Sequence, residues 1–169
     1  MRRIVHAIDS LSILAGKSVS VLLVFAMVII VYEIAVRTFL GVSNVWAFDL
    51  TTYLCGTVYM VGGAYTLCRG KHVTLDLLYS RLSPRKKAVL NSITFFLFAL
   101  FIGVILWKST LNAVESALIA ETSGTPWDAP IYPVRFVISL GALLILMQGI
   151  ANFVRDLHMA VKGEEYDAS

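Results

Sequence analysis

An all-α integral membrane protein with four transmembrane helices is the fold class this sequence predicts, and three observations lead there. Of its 169 residues, 58% are hydrophobic and only 15% are charged, whereas soluble domains carry roughly a quarter charged residues. Uncharged runs recur at bilayer length: Ser18–Tyr32, continuing past Glu33 to Val36, then Leu50–Cys68, Ala88–Trp107 and Phe136–Val154. A run such as Leu50–Cys68 makes a helix about 28 Å long, close to the roughly 30 Å hydrocarbon core of a membrane. Finally, Lys and Arg are distributed very unequally between the connections. The expected spans are approximately 15–38, 47–68, 86–108 and 134–155, in a single membrane domain over 1–169 that leaves no stretch for a soluble domain.

Ahead of the first span, Ile4, Val5, Ile8 and Leu11 recur at helical spacing against Arg2, Arg3, His6 and Asp9. That pattern predicts a short N-terminal interfacial helix. The first apolar run is too long for a secretory signal and no small-x-small cleavage site follows it, so it reads as a retained span. Glu33 lies well inside the span, four residues before Arg37. Two readings stand: a pair at the outer boundary with both heads snorkelling outward, or a polar contact to a partner helix.

In the turn "GVSNVWAFD", Ser43 or Asn44 can cap the second span and Asp49 can complement its positive end. Trp46 suits the headgroup level. Thr52, Gly56, Tyr59, Gly63 and Thr66 then recur every three or four residues, a small and hydroxylated face that lets another helix approach closely. Cys55 and Cys68 have neither CxxC nor metal-ligand spacing and read as packing residues.

The stretch "YTLCRGKHVTLDLLYSRLSPRKK" concentrates six cations, Arg69, Lys71, Arg81, Arg85, Lys86 and Lys87. With Arg2, Arg3, Lys17, Arg155 and Lys162 they place eleven of the fourteen Lys and Arg on one face, against Arg37, Lys108 and Arg135 on the other. Positive residues remain cytoplasmic, so both termini and the 69–87 connection are expected in the cytoplasm. His72 and Asp76 share a helix face, but a catalytic pair also needs a nucleophile, a third group and a pocket. They read instead as the polar side of an amphipathic segment, with Val73, Leu77 and Leu78 opposite. Ser83-Pro84 starts the third helix with proline at its favoured first position.

Beyond Trp107 the third helix is expected to continue, since Leu111, Val114, Leu118 and Ile119 oppose Asn112, Glu115, Ser116 and Glu121. "SGTPWDAPIYP" ends it, with Pro126, Pro130 and Pro133 stiffening the outer loop and Trp127 and Tyr132 as interfacial anchors. Arg135 opens the fourth span at the wrong end of its dipole and needs an acid: Glu115, Glu121, Asp128 or a residue of a second protein. Gln148, deep in that span, reads as glue between helices. His6, His72 and His158 all lie outside the spans, whereas a bis-His haem anchor needs its ligands within the bundle. No catalytic, cofactor or metal residue is expected here, and no nucleic-acid partner.

Several of these residues together resemble the DctQ-like small integral-membrane subunit of tripartite ATP-independent periplasmic (TRAP) transporters. The matching features are Arg37 closing the first span, Trp46 and Asp49 opening the second, Gly62 and Gly63 near its end, and His72-x-x-x-Asp76 leading into the basic connection. Many members carry Glu where Asp49 stands, and Pro where this chain has Ser139. The resemblance implies a non-catalytic subunit of a sodium-coupled importer of organic acids in a bacterial or archaeal inner membrane. Its partners would be a large DctM-like elevator subunit, which uses the Na⁺, a periplasmic substrate-binding protein and the bilayer. The small subunit would scaffold the large one, with Glu33, Arg37, Trp46, Asp49, Gly56, Gly63 and Arg135 as candidate interface residues. The rival is a self-contained homo-oligomeric four-helix transporter or channel, which would need an essential polar residue at mid-span, with Glu33 the only acid to supply it.

Overall fold

The computed structural model describes residues 2–70 and 84–162. They form four helices, α1 (Arg2–Leu40), α2 (Val45–Cys68), α3 (Pro84–Leu118) and α4 (Tyr132–Lys162). His72, Asp76 and the amphipathic stretch around them lie outside the described residues.

The expected interfacial helix is not a separate element. Residues 2–40 form one helix of 39 residues, because no proline interrupts the run and the interfacial pattern has the same 3.6-residue period as the span. At 1.5 Å per residue α1 is about 58 Å long, nearly twice the hydrocarbon core. Gly41 stops it with φ +67°, the left-handed residue that commonly follows a last helical turn. Residues 41–44 then suffice to turn the chain, so α2 runs back antiparallel along α1.

α2 closes with the Arg69 amide donating to the Tyr65 carbonyl at 3.0 Å and Gly70 at φ +63°. α3 begins on Pro84 and continues beyond Trp107 to Leu118, as its spacing predicts. Its end is a Schellman motif: the Glu121 amide donates to the Ser116 carbonyl (2.9 Å) and the Ala120 amide to Ala117 (3.3 Å). The left-handed position that usually takes glycine holds Ala120, at φ +47°. An L-residue there is disfavoured by about 1–2 kcal/mol. Ala120→Gly is therefore expected to raise the thermal stability of the purified protein by about 1 kcal/mol, which a melting curve in detergent would read; an unchanged or lower midpoint would contradict the strain.

The helices stand in a row rather than a closed square. α2 packs between α1 and α4, α4 packs between α2 and α3, and α1 and α3 occupy the two ends of the row. The seams are built from small residues. Gly16 lies under Tyr65, Gly141 lies against the backbone of Met60, and Gly149 lies under the Phe98 ring, while Ala64 and Ala142 are fully buried and Ala47 and Ala151 nearly so. In lipid, where burial of apolar surface contributes little between helices, such close approach drives association through van der Waals contact. Phe95 of α3 stacks on Phe153 of α4 at 4.3 Å between ring centroids.

α1 over Val5–Leu40, α3 over Val89–Leu118 and α4 over Tyr132–Val161 are each long and apolar enough to cross a membrane. α2 is not one of these three. Its 24 residues are about 36 Å long, but its tyrosines, threonines and glycines dilute the apolar character.

Candidate functional site

Two clusters of polar residues stand at the opposite ends of the helices. At the end that holds the α1–α2 turn, Glu33 of α1 reaches forward across the turn. Its carboxylate accepts from the Asn44 backbone amide (3.0 Å), the Asn44 side-chain Nδ2 (3.0 Å) and the Ser43 hydroxyl (3.3 Å). Glu33 is thus chiefly a staple for the α1–α2 turn rather than one half of an outward pair, and Arg37 is left exposed. The expected cap on α2 changes for the same reason. Asn44 sits at the N-cap position with extended backbone but makes no side-chain cap bond, because its amide is committed to Glu33.

Asp49 also differs from its expected role. It lies beyond the first turn of α2 and is 8% exposed. Its carboxylate accepts from the Thr125 hydroxyl at 2.7 Å, and Thr125 in turn meets the Ser123 hydroxyl at 2.8 Å. Asp49 thereby ties α2 to the loop between α3 and α4. The loop has its own frame: the Asp128 amide donates to Thr125 (2.8 Å), Ser123 to Ala129 (2.8 Å) and Ile131 to Glu121 (3.0 Å). Pro126 fills the second position of the Thr125–Asp128 turn, where its fixed φ is favoured.

Arg135 finds its acid within the chain. Its guanidinium donates to Glu121 at 2.7 Å and to the Asn112 carbonyl at 3.4 Å. Of the three local acids the spacing offered, Glu121 wins because the Schellman turn and the Ile131–Glu121 bond bring it over the start of α4. Trp46 is half-buried with its ring 5.8 Å from that of Tyr32 on α1.

The small-residue face of α2 divides. Gly63 lies at its edge against Ile145 of α4, where an added Cβ would be 2.9 Å from the Ile145 Cδ1. Thr52, Tyr59 and Thr66 are exposed, and a Cβ on Gly56 would meet nothing within 4 Å. The row therefore uses one edge of this face and leaves the rest open.

The second cluster, at the end that holds the start of α1, was not foreseen from the sequence. Gln148 is fully buried with both ends of its amide used: Oε1 accepts from the Ser12 hydroxyl (2.7 Å), and Nε2 donates to Asp9 (2.9 Å) and Asn152 (3.4 Å). Arg155 forms an ion pair with Asp9 and donates to the Asn152 side-chain oxygen at 3.1 Å. Asn152 Nδ2 donates to the Leu67 carbonyl (3.1 Å) near the end of α2, and the Cys68 thiol lies 3.7 Å from the Asp9 carboxylate. Gln148 is indeed glue between helices. Asp9 and Arg155, read separately as the polar side of an interfacial helix and as part of a charged tail, are its partners. The available signal was the spacing of Gln148, Asn152 and Arg155, which share one face of α4 at i, i+4 and i+7.

Both clusters consist of donors and acceptors satisfying one another across helices, the arrangement that fixes a register. They occupy the two ends of the helices, with small apolar seams between. A family comparison gives this frame its context: the model for the DctQ component of tripartite ATP-independent periplasmic transporters matches residues 26–159. The chain belongs to the DctQ family. It is thus a multi-pass membrane component of a TRAP transporter, a role carried out alongside other TRAP subunits. No curated protein matches the chain. Of the residues in the second cluster, Leu67, Cys68, Gln148, Asn152 and Arg155 fall within the DctQ match, whereas Asp9 and Ser12 precede it.

Proposed function

We propose that this DctQ protein is the non-catalytic scaffold of a sodium-coupled, binding-protein-dependent importer of organic acids. It would lie in the inner membrane of a bacterium or archaeon and pack against the static part of a large DctM-like elevator subunit. The observation that carries this reading is the way the polar groups are used. Asp9, Arg155 and Gln148 at one end, and Glu33, Asp49, Glu121 and Arg135 at the other, are engaged with one another or with loop residues. A transport site needs polar groups that can exchange partners near mid-membrane; a frame needs them fastened at its ends. The row leaves long apolar faces open on α1 and α3, Val24, Met27 and Val28 on the first and Phe96, Leu97 and Leu100 on the second. Lipid and a large subunit are the two environments such faces suit. The periplasmic binding protein would meet the outer loop, and Na⁺ would act in the large subunit, with no cofactor needed here.

The connections support a reading with four crossings. If α1 crosses, the short link 41–44 returns α2 through the same slab, and α2 is shielded on two sides by α1 and α4, so it need not be as apolar as a lone span. With the cations counted by side, both termini lie in the cytoplasm. A Cys-free protein carrying one new cysteine at Lys87 or at Asp128 tests this: an impermeant reagent added from outside is expected to label the second and not the first, and the reverse would overturn the orientation. Vesicles containing all three components are expected to show sodium-driven uptake that is lost without this subunit. Uptake by the small subunit alone would establish the homo-oligomeric transporter instead.

A further inference from the structure

α1 has far more helix than a crossing needs, and the surplus lies at its N-terminal end. Its first turns carry the amphipathic pattern of a membrane-surface helix, yet they stand upright against the bundle, continuous with the span. Polar bonds help to hold them there. α1 and α4 touch much less than the other neighbouring pairs, and they are joined by the bonds of Asp9 and Ser12 to Gln148 and Arg155. Val5 is buried, but Leu11 and Leu14 remain 44% and 65% exposed, so the segment keeps apolar surface that the bundle does not cover. Below the cluster, Gly16 sits so close to Tyr65 that an added Cβ would come within 2.4 Å of the Tyr65 Cβ; above that contact α1 is locked to α2.

We propose that residues 2–14 of α1 are a strap, latched across the inner ends of α2 and α4 by the Asp9–Ser12–Gln148–Arg155 cluster. When the latch opens, the strap leaves the bundle for the membrane surface, which its exposed Leu11 and Leu14 suit. Gln148 is the keystone because it alone bonds Ser12, Asp9 and Asn152 together. Opening uncovers the last turn of α2, where the Cys68 thiol lies against Asp9. Cys55, more than three helical turns away in the middle of α2, should feel nothing of it.

The two native cysteines therefore report on the latch without any added label. Their alkylation by N-ethylmaleimide can be followed separately by peptide mass spectrometry in the purified protein. Gln148→Leu and Ser12→Ala remove latch bonds while leaving the charges around Cys68 in place. Gln148→Leu is expected to speed Cys68 alkylation at least tenfold and Ser12→Ala by a smaller factor, with Cys55 within twofold of wild type in both. Gln148→Glu, which keeps an acceptor for Ser12 but loses the donor to Asp9, should fall between wild type and Gln148→Leu. A Cys68 rate within twofold of wild type in Gln148→Leu would overturn the latch, and so would equal acceleration at both cysteines, which would mean that the whole bundle loosens.

Discussion

Replacing Arg135 with Glu is expected to reduce co-purification with the large membrane subunit and sodium-driven uptake together, and adding Glu121→Arg in the same chain is expected to restore most of both. The single change sets two acids against each other where a 2.7 Å ion pair stood. The side chains are 32% and 29% exposed, so the loss lies between that of a surface pair and a buried one, about 2 kcal/mol. That corresponds to roughly a 30-fold shift in a two-state equilibrium. The consequence is local first: the loop from Glu121 to Ile131 loses its anchor on α4, and with it the seat for Thr125 against Asp49. The exchanged pair should serve well, because it puts an acid at the start of α4 and a base just past the end of α3, where each helix dipole favours it. Co-purification yield beside uptake in reconstituted vesicles measures the outcome. If the double exchange fails to rescue while the isolated subunit melts normally, the acid that matters for Arg135 belongs to another protein.

Gly141→Ala is expected to be among the most damaging single methyl additions, and Gly56→Ala among the mildest. A Cβ at Gly141 would lie 2.8 Å from the Met60 carbonyl carbon and 3.0 Å from its oxygen. Backbone cannot step aside as a side-chain tip can, so α2 and α4 must separate along the seam that joins the two halves of the row. Overpacking of this kind costs about 1–3 kcal/mol, and a backbone contact belongs at the upper end. Gly63→Ala meets only the tip of Ile145 and should be far milder. At Gly56 there is open space, and alanine is the better helix former by about 1 kcal/mol. A melting series in detergent should therefore rank Gly141→Ala lowest, Gly63→Ala intermediate and Gly56→Ala at or above the native protein. Gly56→Leu extends the test to assembly. The isolated subunit should melt normally while co-purification with the large subunit falls, and undiminished co-purification would move the partner to the outward face of α1 or α3.

Much of this protein is written in local patterns. The limits of α2, the start of α3 on Pro84 and its end before the proline-rich loop are legible in the chain, whereas α1 begins well ahead of its uncharged run and α4 continues past Val154 to Lys162. That Arg135 needs an acid follows from its place at a helix start, and that Gln148 joins helices follows from its isolation in apolar sequence. These inferences succeed because they concern a residue and its own helix, whose period and dipole are known from the chain alone.

What faces what was decided only by the packing. Helical periodicity says which residues share a side but not which neighbour that side meets. Asp9 and Arg155 are separated by nearly the whole chain, and nothing in either segment announces the other; the antiparallel return of α2 and α4 brings them together. The continuity of α1 was illegible for a related reason, since an interfacial helix and the foot of a longer span have the same period, and the choice depends on whether Gln148 and Arg155 are waiting alongside. Asp49 and Glu33 likewise carried the right chemistry with the wrong partner in view. A carboxylate near a helix start can serve the dipole, a cap or a distant hydroxyl, and the loop geometry that delivered Thr125 and Asn44 exists only in the folded chain.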